Sequence, residues 1–269
     1  MNRIALLIPH YNNPAGLNAS LASIGADEAV DVYVVDDGST RVPLDEAGAR
    51  AAFKARGELH LLYLPQNRGI EHALNTGLQA IVDAGYAYCA RLDCDDRVAP
   101  DRFARQQAYL DANPDVALLG SAVTFFDASG DRFTLHQPQT HAQIVRHMHN
   151  DNAFTHPAVA FRISAVREIG LYPVDAPAAE DFAYFWRFVA RYQTANQPEV
   201  LTWSEYNDSG ISLSRRRRQQ WSRFRILARH FDWSPRSLLL LAKPLVWLVV
   251  PFGVVRAVRQ WLGGGGKWS

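Results

Sequence analysis

Two groups of carboxylates sit where apolar runs give way to polar loops: Asp36 and Asp37 in VYVVDDGS, and Asp93, Asp95 and Asp96 in ARLDCDD. Adjacent carboxylates repel one another, so three within four residues beside an apolar strand need an offsetting charge, and a divalent cation is the usual one. Hard carboxylate oxygens suit Mg²⁺ or Mn²⁺, which take few protein ligands and complete their shell with substrate phosphates. A solvated Asp-rich turn accounts for either cluster alone, because Asp favours turns through its own hydrogen bonds. Two clusters, each at a strand end, favour a metal and nucleotide site. A third acidic pair, Glu180 and Asp181, precedes Phe182, Phe185, Val189 and Tyr192 at helical spacing, which places it in the first turn of a helix. The macrodipole stabilises acids there, so the pair also has a purely structural reading.

The scaffold that must position these acids is legible as alternation. Apolar runs bounded by turn residues predict strands at Ile4 to Ile8, Val30 to Val35, Leu59 to Leu64 and Tyr86 to Leu92. Helices are predicted between them at Ala15 to Ser23, Glu46 to Arg56 and Ile70 to Ala84, and after them from Pro100 to Ala112, with proline in its first turn. Such alternation implies a parallel sheet covered on both faces, with its ligand crevice outside the carboxyl ends of the strands, where both clusters fall. The second half reads as mixed sheet, with strands at Val116 to Phe126 and Ala158 to Phe161 separated by a His-rich helical stretch near Ile144 to His149.

The formal charge of +1 hides an asymmetry. Residues 214–269 carry 12 Lys or Arg against Asp232, a net +11, and leave −10 on residues 1–213. A basic tail on an acidic body suggests contact with an anionic surface. Arg215 to Arg218 open a predicted helix whose Trp221, Phe224, Leu227 and Phe231 keep one face, followed by an apolar run, Leu238 to Val255, interrupted by Lys243, Pro244 and Pro251. That pattern fits helices lying in a membrane interface, a span of marginal length near Leu238 to Val255, or helices packed on the body or a partner. Nucleic acid is the weaker partner because no recognition module accompanies the arginines. Only Cys89 and Cys94 occur, too few for a disulfide framework, and the first apolar run is too short for a signal peptide, so a cytoplasmic body on the inner face of the membrane is expected.

Taken in order, LIPHYNN, VVDDGST, NRG, RLDCDD, NAFTHPAVAFR and AEDFAYFWR resemble the inverting family 2 glycosyltransferases over about residues 3 to 214. The resemblance implies an α/β domain over residues 1–213 with the GT-A (Rossmann-like) fold, a mixed sheet with helices on both faces, and a basic and apolar helical extension over 214–269. It implies a nucleotide-sugar donor and a divalent cation, Mn²⁺ or Mg²⁺. Pro9, Tyr11 and Asp37 then hold the nucleotide base, Arg68 lies near the nucleotide, and Asp93, Asp95 and Asp96 serve ribose and the diphosphate-bound metal. Both Asp93-Cys94-Asp95 and Asp95-Asp96 resemble variants of the family's metal motif, with Asp95 and Asp96 as its ligands here. Asp181 inherits the role of general base, and Glu180 and His156 contact donor or acceptor, although a buried structural His156 is an equal reading. Many relatives carry Tyr-Arg-x-His near the end of the domain; here the stretch is Tyr206-Asn207-Asp208-Ser209, so either Asp208 replaces the histidine or the DxD-type acids and diphosphate hold the metal alone.

The expected activity is inverting transfer of a sugar from a nucleotide diphosphate, UDP above others, to a glycan or lipid-linked acceptor in cell-envelope polysaccharide synthesis. A sugar nucleotidylyltransferase is a rival, but HYNNPAG lacks the Gly-rich loop it needs after the first strand. A catalytically degenerate binding module at the membrane is the other, and retention of Asp95, Asp96 and Asp181 argues against it.

Overall fold

The structure is a computed structural model that describes residues 3–206, 216–231, 240, 241 and 243–245. Four parallel strands, β1 (Ile4–His10), β2 (Val30–Asp36), β3 (Leu59–Tyr63) and β4 (Tyr88–Arg91), form one half of a nine-stranded sheet, in the order β3-β2-β1-β4. The sheet continues through β8 (Ala160–Arg162), β6 (Val116–Asp127), β9 (Gln193–Glu205) and β5 (Arg97–Val98), and β7 (Gly130–Leu135) pairs with β6. β8 runs antiparallel to β4 and β6, whereas β9 runs parallel to β6, so the sheet is mixed.

β1 shows why the strands read as continuous apolar runs. Its alternate residues serve different faces: Ala5 and Leu7 join the core beneath α3 (Ile70–Ala84) and α7 (Glu180–Val189), while Ile4, Leu6 and Ile8 join the core beneath α1 (Pro14–Ser23), α2 (Glu46–Ala52) and α4 (Arg102–Ala112). Both faces are covered, so no polar alternation is left. α3 lies close enough that a Cβ on Gly77 would sit 2.3 Å from Leu7 Cδ1, and it ends at Gly85 in the left-handed conformation, φ 81°. At the loop after β1, Pro14 occupies the first turn of α1, and the Asn13 side chain accepts the Gly16 N–H.

Three expectations change. α4 begins at Arg102, beyond Pro100, because Glu28 reaches across to cap it, accepting the Phe103 and Ala104 N–H groups at 2.8 and 3.0 Å. The polar stretch Gln193–Glu205, where no strand is predicted, is the longest strand, β9. Its Pro198 and Glu199 fall in a register shift opposite Ser121 and Ala122, which spares the ladder the missing proline N–H. Finally, the packed body does not end at residue 213: α8 (Arg216–Arg229) buries Ile226 and Leu227 in the same core as α7, while Trp221 is 51% exposed. Its inward face is therefore turned away from the Trp221 edge that the sequence pattern favours. Asp208, Ser209 and most of Leu238 to Val255 lie outside the described residues, and no helix among those described is long and apolar enough to cross a membrane.

Candidate active site at the carboxyl ends of the parallel strands

β1 and β2 deliver a locked loop. His10, buried at the end of β1, holds Asp36 Oδ1 through Nδ1 at 2.7 Å, and its Nε2 accepts the Asn13 N–H at 3.2 Å. With Nε2 accepting, Nδ1 carries the proton. Asp36 also accepts from the Ser39 N–H and hydroxyl. Asp37 is 4% exposed, and its two oxygens accept the Arg68 and Gly69 N–H groups at 2.8 and 2.9 Å. It thus pins the Asn67–Gly69 loop to β2 while the Arg68 side chain stays exposed. Burial outweighs those two donors and raises the Asp37 pKa. Tyr11 is 49% exposed at the rim. Pro9 faces the β4 side and has no N–H to offer the Leu92 C=O, so the ladder ends at the Leu92 N–H to Leu7 C=O rung and Arg91 Nη1 donates to that carbonyl instead.

Gly38 is needed twice over. Its φ is +65°, and a Cβ there would meet the Gln66 carbonyl carbon at 2.4 Å. The left-handed conformation alone costs another residue about 1 to 2 kcal/mol, and the neighbour is backbone. Gly38→Ala is expected to lower Tm by at least about 4 °C in a thermal melt, and an unchanged Tm would remove this reading of the turn.

The second acidic cluster divides by direction. Asp93, with its side chain 39% exposed, pairs with the fully buried Arg91, Nη2 to Oδ1 2.5 Å. Burial raises its pKa, but the Arg91 charge and hydrogen bond win and hold it below the usual carboxylate range. Asp95 sits in a left-handed conformation, φ 84°, with its N–H on Ser20 Oγ at 2.9 Å and its carboxylate on Asn13 Nδ2 at 2.9 Å. Burial first, then the Glu205 and Asp93 charges, push it up to about 6. Such a crowded oxygen site fits a hard cation. Asp96, expected as a second ligand, is instead turned into the body at 2% exposure: its Oδ1 accepts the Glu205 N–H at 3.0 Å and braces the end of β9. Its Oδ2 is buried without a hydrogen-bond partner, and burial drives its pKa well upward. Among the described residues no three His, Cys, Asp or Glu side chains converge as a metal cage. The fit is therefore to a cation held chiefly by Asp95 and by oxygens of a ligand.

α7 brings the third pair to the same end of the sheet. Asp181 Oδ1 accepts the Phe182 N–H at 2.7 Å and Oδ2 accepts Asn152 Nδ2 at 3.0 Å. Burial is the main cause of its raised pKa, with the Asp93 charge adding to it. Glu180 is 8% exposed with Oε2 unpartnered, and burial followed by the Asp181 charge pushes it up to about 8. His156 bonds Tyr172 Oη at 3.1 Å and faces the Arg91 and Asp93 charges; burial, with Arg91, pushes it down to about 3, so it is a neutral ring. Asn12, Asp95 and Ala178 are the non-glycine residues of the described chain with positive φ, and all three lie in loops that carry this site. Strain of this kind gathers where function constrains the backbone.

Glu180 yields a stability prediction. A carboxyl whose folded pKa lies near 8 against an ordinary 4.5 keeps its proton on folding, so its contribution is complete below the lower value and is lost as pH rises through the window between them. Wild-type Tm is expected to drop between about pH 6 and about pH 9 by more than that of Glu180→Gln, which has no proton to lose. Equal slopes in the two proteins would place the carboxyl in an ordinary environment.

Arg91, Asn13, Asn152 and Glu205 belong to the site but were not singled out by sequence. Arg91, Asn13 and Asn152 stand inside the motifs themselves, and a buried cation amid acids is a signal for Arg91; Glu205 carries no local signal, since only the β9–Asp96 contact brings it there.

Comparison with known proteins follows this geometry. The amylovoran biosynthesis glycosyltransferase AmsE of Erwinia amylovora is 32% identical over 207 residues, covering 73% of this chain and 74% of its own. The UDP-Gal:alpha-D-GlcNAc-diphosphoundecaprenol beta-1,3-galactosyltransferase of Escherichia coli is 30% identical over 128 residues, covering 47% of this chain and 45% of its own. In fold, the chain is similar to S. aureus TarS residues 1–349 solved with UDP-GlcNAc, with a TM-score of 0.67 and 16% identity over 98% of this chain and 76% of that one; it spans 43% of a longer TarS chain. Residues 5–170 match Glycosyl transferase family 2 from the second residue of β1 through β4, with both strand-end acidic clusters and the His156 segment, and the chain belongs to that family.

Proposed function

We propose that the protein transfers a sugar, with inversion, from a UDP-linked donor to a lipid-linked sugar or glycan of the cell envelope. What supports this reading is the arrangement at one end of the sheet: Asp93 and Asp95 after β4, held by Arg91 and Asn13, and Asp181 at the start of α7, held by Phe182 and Asn152, with His156 packed on Phe185 of α7. The names of the two bacterial relatives support envelope polysaccharide or lipid-diphosphate acceptors, and that of the galactosyltransferase supports UDP. Pro9, Tyr11, Asp37 and Arg68 surround the base and ribose side, and Asp93 and Asp95 the ribose and diphosphate side. Asp181 takes the proton of the acceptor hydroxyl as its oxygen bonds the anomeric carbon from the face opposite the diphosphate; the bond to the diphosphate oxygen breaks and its electron pair leaves with UDP. Asp95 would hold a divalent cation, Mn²⁺ or Mg²⁺, which when bound would neutralise charge on that diphosphate. Glu180, protonated near neutral pH, and the neutral His156 are placed to hydrogen-bond donor or acceptor hydroxyls.

The test is UDP release from UDP-glucose, UDP-galactose, UDP-GlcNAc and UDP-GalNAc, with and without Mn²⁺, in the presence of a GlcNAc-diphosphate lipid. One donor is expected to be turned over faster with the acceptor than without, giving a product of opposite anomeric configuration by NMR. No turnover of any of the four, or retained configuration, would overturn the corresponding part of the reading.

The same proposal places the protein on the cytoplasmic face of the membrane through its C-terminal region. Supporting this, α8 turns Arg217, Arg218, Trp221 and Arg225 outward, and residues 231–269 add five Lys or Arg against Asp232. Each basic residue near an anionic surface contributes about 1 kcal/mol. Because Ile226 and Leu227 are part of the core, truncation belongs after His230 and not before α8. The shortened protein, which gives up Leu241 at the edge of the core and the Lys243 bond to Asn150, is expected to fold with a somewhat lower Tm and to sediment less with anionic vesicles than the full chain. Equal sedimentation would place the contact on α8 or exclude it from the tail.

A further inference from the structure

α8 touches the surroundings of the candidate base with its own side chains. Arg223 Nη2 lies 2.5 Å from Asp151 Oδ1, and its guanidinium carbon lies 4.9 Å from the centroid of Phe182. Phe182 is the residue whose N–H donates to Asp181 Oδ1. Asp151 Oδ1 also accepts the Asn152 N–H at 2.8 Å, which sets the backbone of Asn152. The Asn152 side chain is then held at both ends: its Oδ1 accepts the Phe154 N–H at 3.2 Å and its Nδ2 donates to Asp181 Oδ2. One oxygen of Asp181 is thus oriented by the amide of the ring under Arg223, and the other by a carboxamide whose backbone Arg223 steadies through Asp151.

The contact is too specific to be only an anchor for the helix. α8 has other attachments: Ile226 and Leu227 in the core, Ser222 Oγ on the Pro177 carbonyl at 3.0 Å, and Arg229 with Asp175 at 3.3 Å. Those hold the helix to the loop before α7, whereas among the described side chains of α8 it is Arg223 that reaches the 151–152 turn. Its side chain is 18% exposed, so solvent screens the ion pair less than the more open Arg229 pair. The charge also acts on Asp151, where burial pushes the carboxyl up but Arg223 and the Asn152 amide outweigh it and hold it below the ordinary range.

We infer that Arg223 is a positioning residue for the Asp181 carboxylate, acting through Asp151 and Asn152, so that the C-terminal helix completes the active site. This rests on the reading of Asp181 as the base. Misplacing a catalytic group by about 1 Å can cost on the order of 10²-fold in rate, and only a fraction of that is expected here because the Phe182 amide remains.

The experiment uses the full chain and the fastest donor of the four-sugar panel with the GlcNAc-diphosphate lipid. Arg223→Ala is expected to lower kcat about tenfold while donor KM stays within about twofold, and Arg223→Lys is expected to recover most of the loss. Combined with Asn152→Ala, Arg223→Ala is expected to add little to the loss of Asn152→Ala alone, because both act on one oxygen of Asp181. Arg229→Ala, which removes an anchor of the same helix, is expected to leave kcat unchanged. Should Arg223→Ala fail to fold, Asp151→Asn breaks the ion pair at constant shape and is expected to lower kcat in the same way. A kcat within about twofold of wild type for the soluble variant, or fully additive losses with Asn152→Ala, would overturn the inference. Asp181→Asn run alongside separates the two failures: if it is inactive while Arg223→Ala is unaffected, only the positioning role falls; if it turns over normally, the base assignment falls and the positioning role with it.

Discussion

Asp181→Asn is expected to lower transfer by about 10² to 10⁴ in kcat, the usual worth of a positioned general base, while UDP affinity changes little. The expectation of a clean effect comes from the contacts. An asparagine oxygen still accepts from the Phe182 amide or from Asn152, so the first turn of α7 keeps its geometry. What disappears is the lone pair that takes the acceptor proton. The substitution also removes a buried charge, and with it part of the repulsion that raises Glu180, so Tm is expected to hold or to rise. On the proposed reading UDP contacts the other side of the crevice, so calorimetric affinity would report that side alone. Near-normal turnover by this variant would remove Asp181 from the role and leave Glu180 as the nearest alternative.

The second large effect concerns Asp95. If this carboxylate holds the diphosphate-bound cation, Asp95→Ala is expected to abolish the gain in UDP affinity on adding Mn²⁺, and EDTA is expected to reproduce that loss in the parent protein. Loss of even an outer-shell partner costs about 10- to 100-fold in metal affinity, so loss of the ligand is expected to cost at least as much. The structure separates Asp96 from this behaviour. Its carboxylate accepts the Glu205 N–H inside the body, so Asp96→Ala is expected to show first as a lower Tm and a displaced β9 end. Calorimetry giving equal UDP affinity with and without Mn²⁺ in the parent protein would count against a cation at this site altogether. A variant series in which Asp96 and not Asp95 governs the metal effect would reverse their assignment.

The parallel half of the sheet was legible in the sequence because each of its signals is local. A strand buried on both faces is a run of apolar residues, and Ile4–His10 and Val30–Asp36 are such runs; a helix between Gly69 and Gly85 is bounded by its own punctuation. The acidic clusters could be placed at strand ends by the same means, and the motif order pointed to the family. Sequence could not tell which acid of Asp93, Asp95 and Asp96 faces the crevice. Direction there is set by a left-handed residue at Asp95, by Ser20 taking its N–H, and by the distant Glu205 amide taking Asp96.

The same division separates the rest of the chain. Composition and pattern by themselves determined an α/β body, the end of the sheet where the acidic clusters gather and the basic character of the tail; the fold family came from the resemblance of its ordered motifs. Tertiary structure alone decided that the polar, proline-containing stretch 193–205 is a strand, because its place beside β6 and a register shift around Pro198 supply what its own residues do not. It also decided that α8 turns Ile226 and Leu227 inward, and that Arg223 comes to rest on Asp151, next to the residue that holds Asp181. An apolar or charged side chain has two or more faces it can serve, and local periodicity ranks them by composition alone. The choice is made by partners 70 or more residues away in the chain, as with Arg223 and Asp151, which only packing brings within reach.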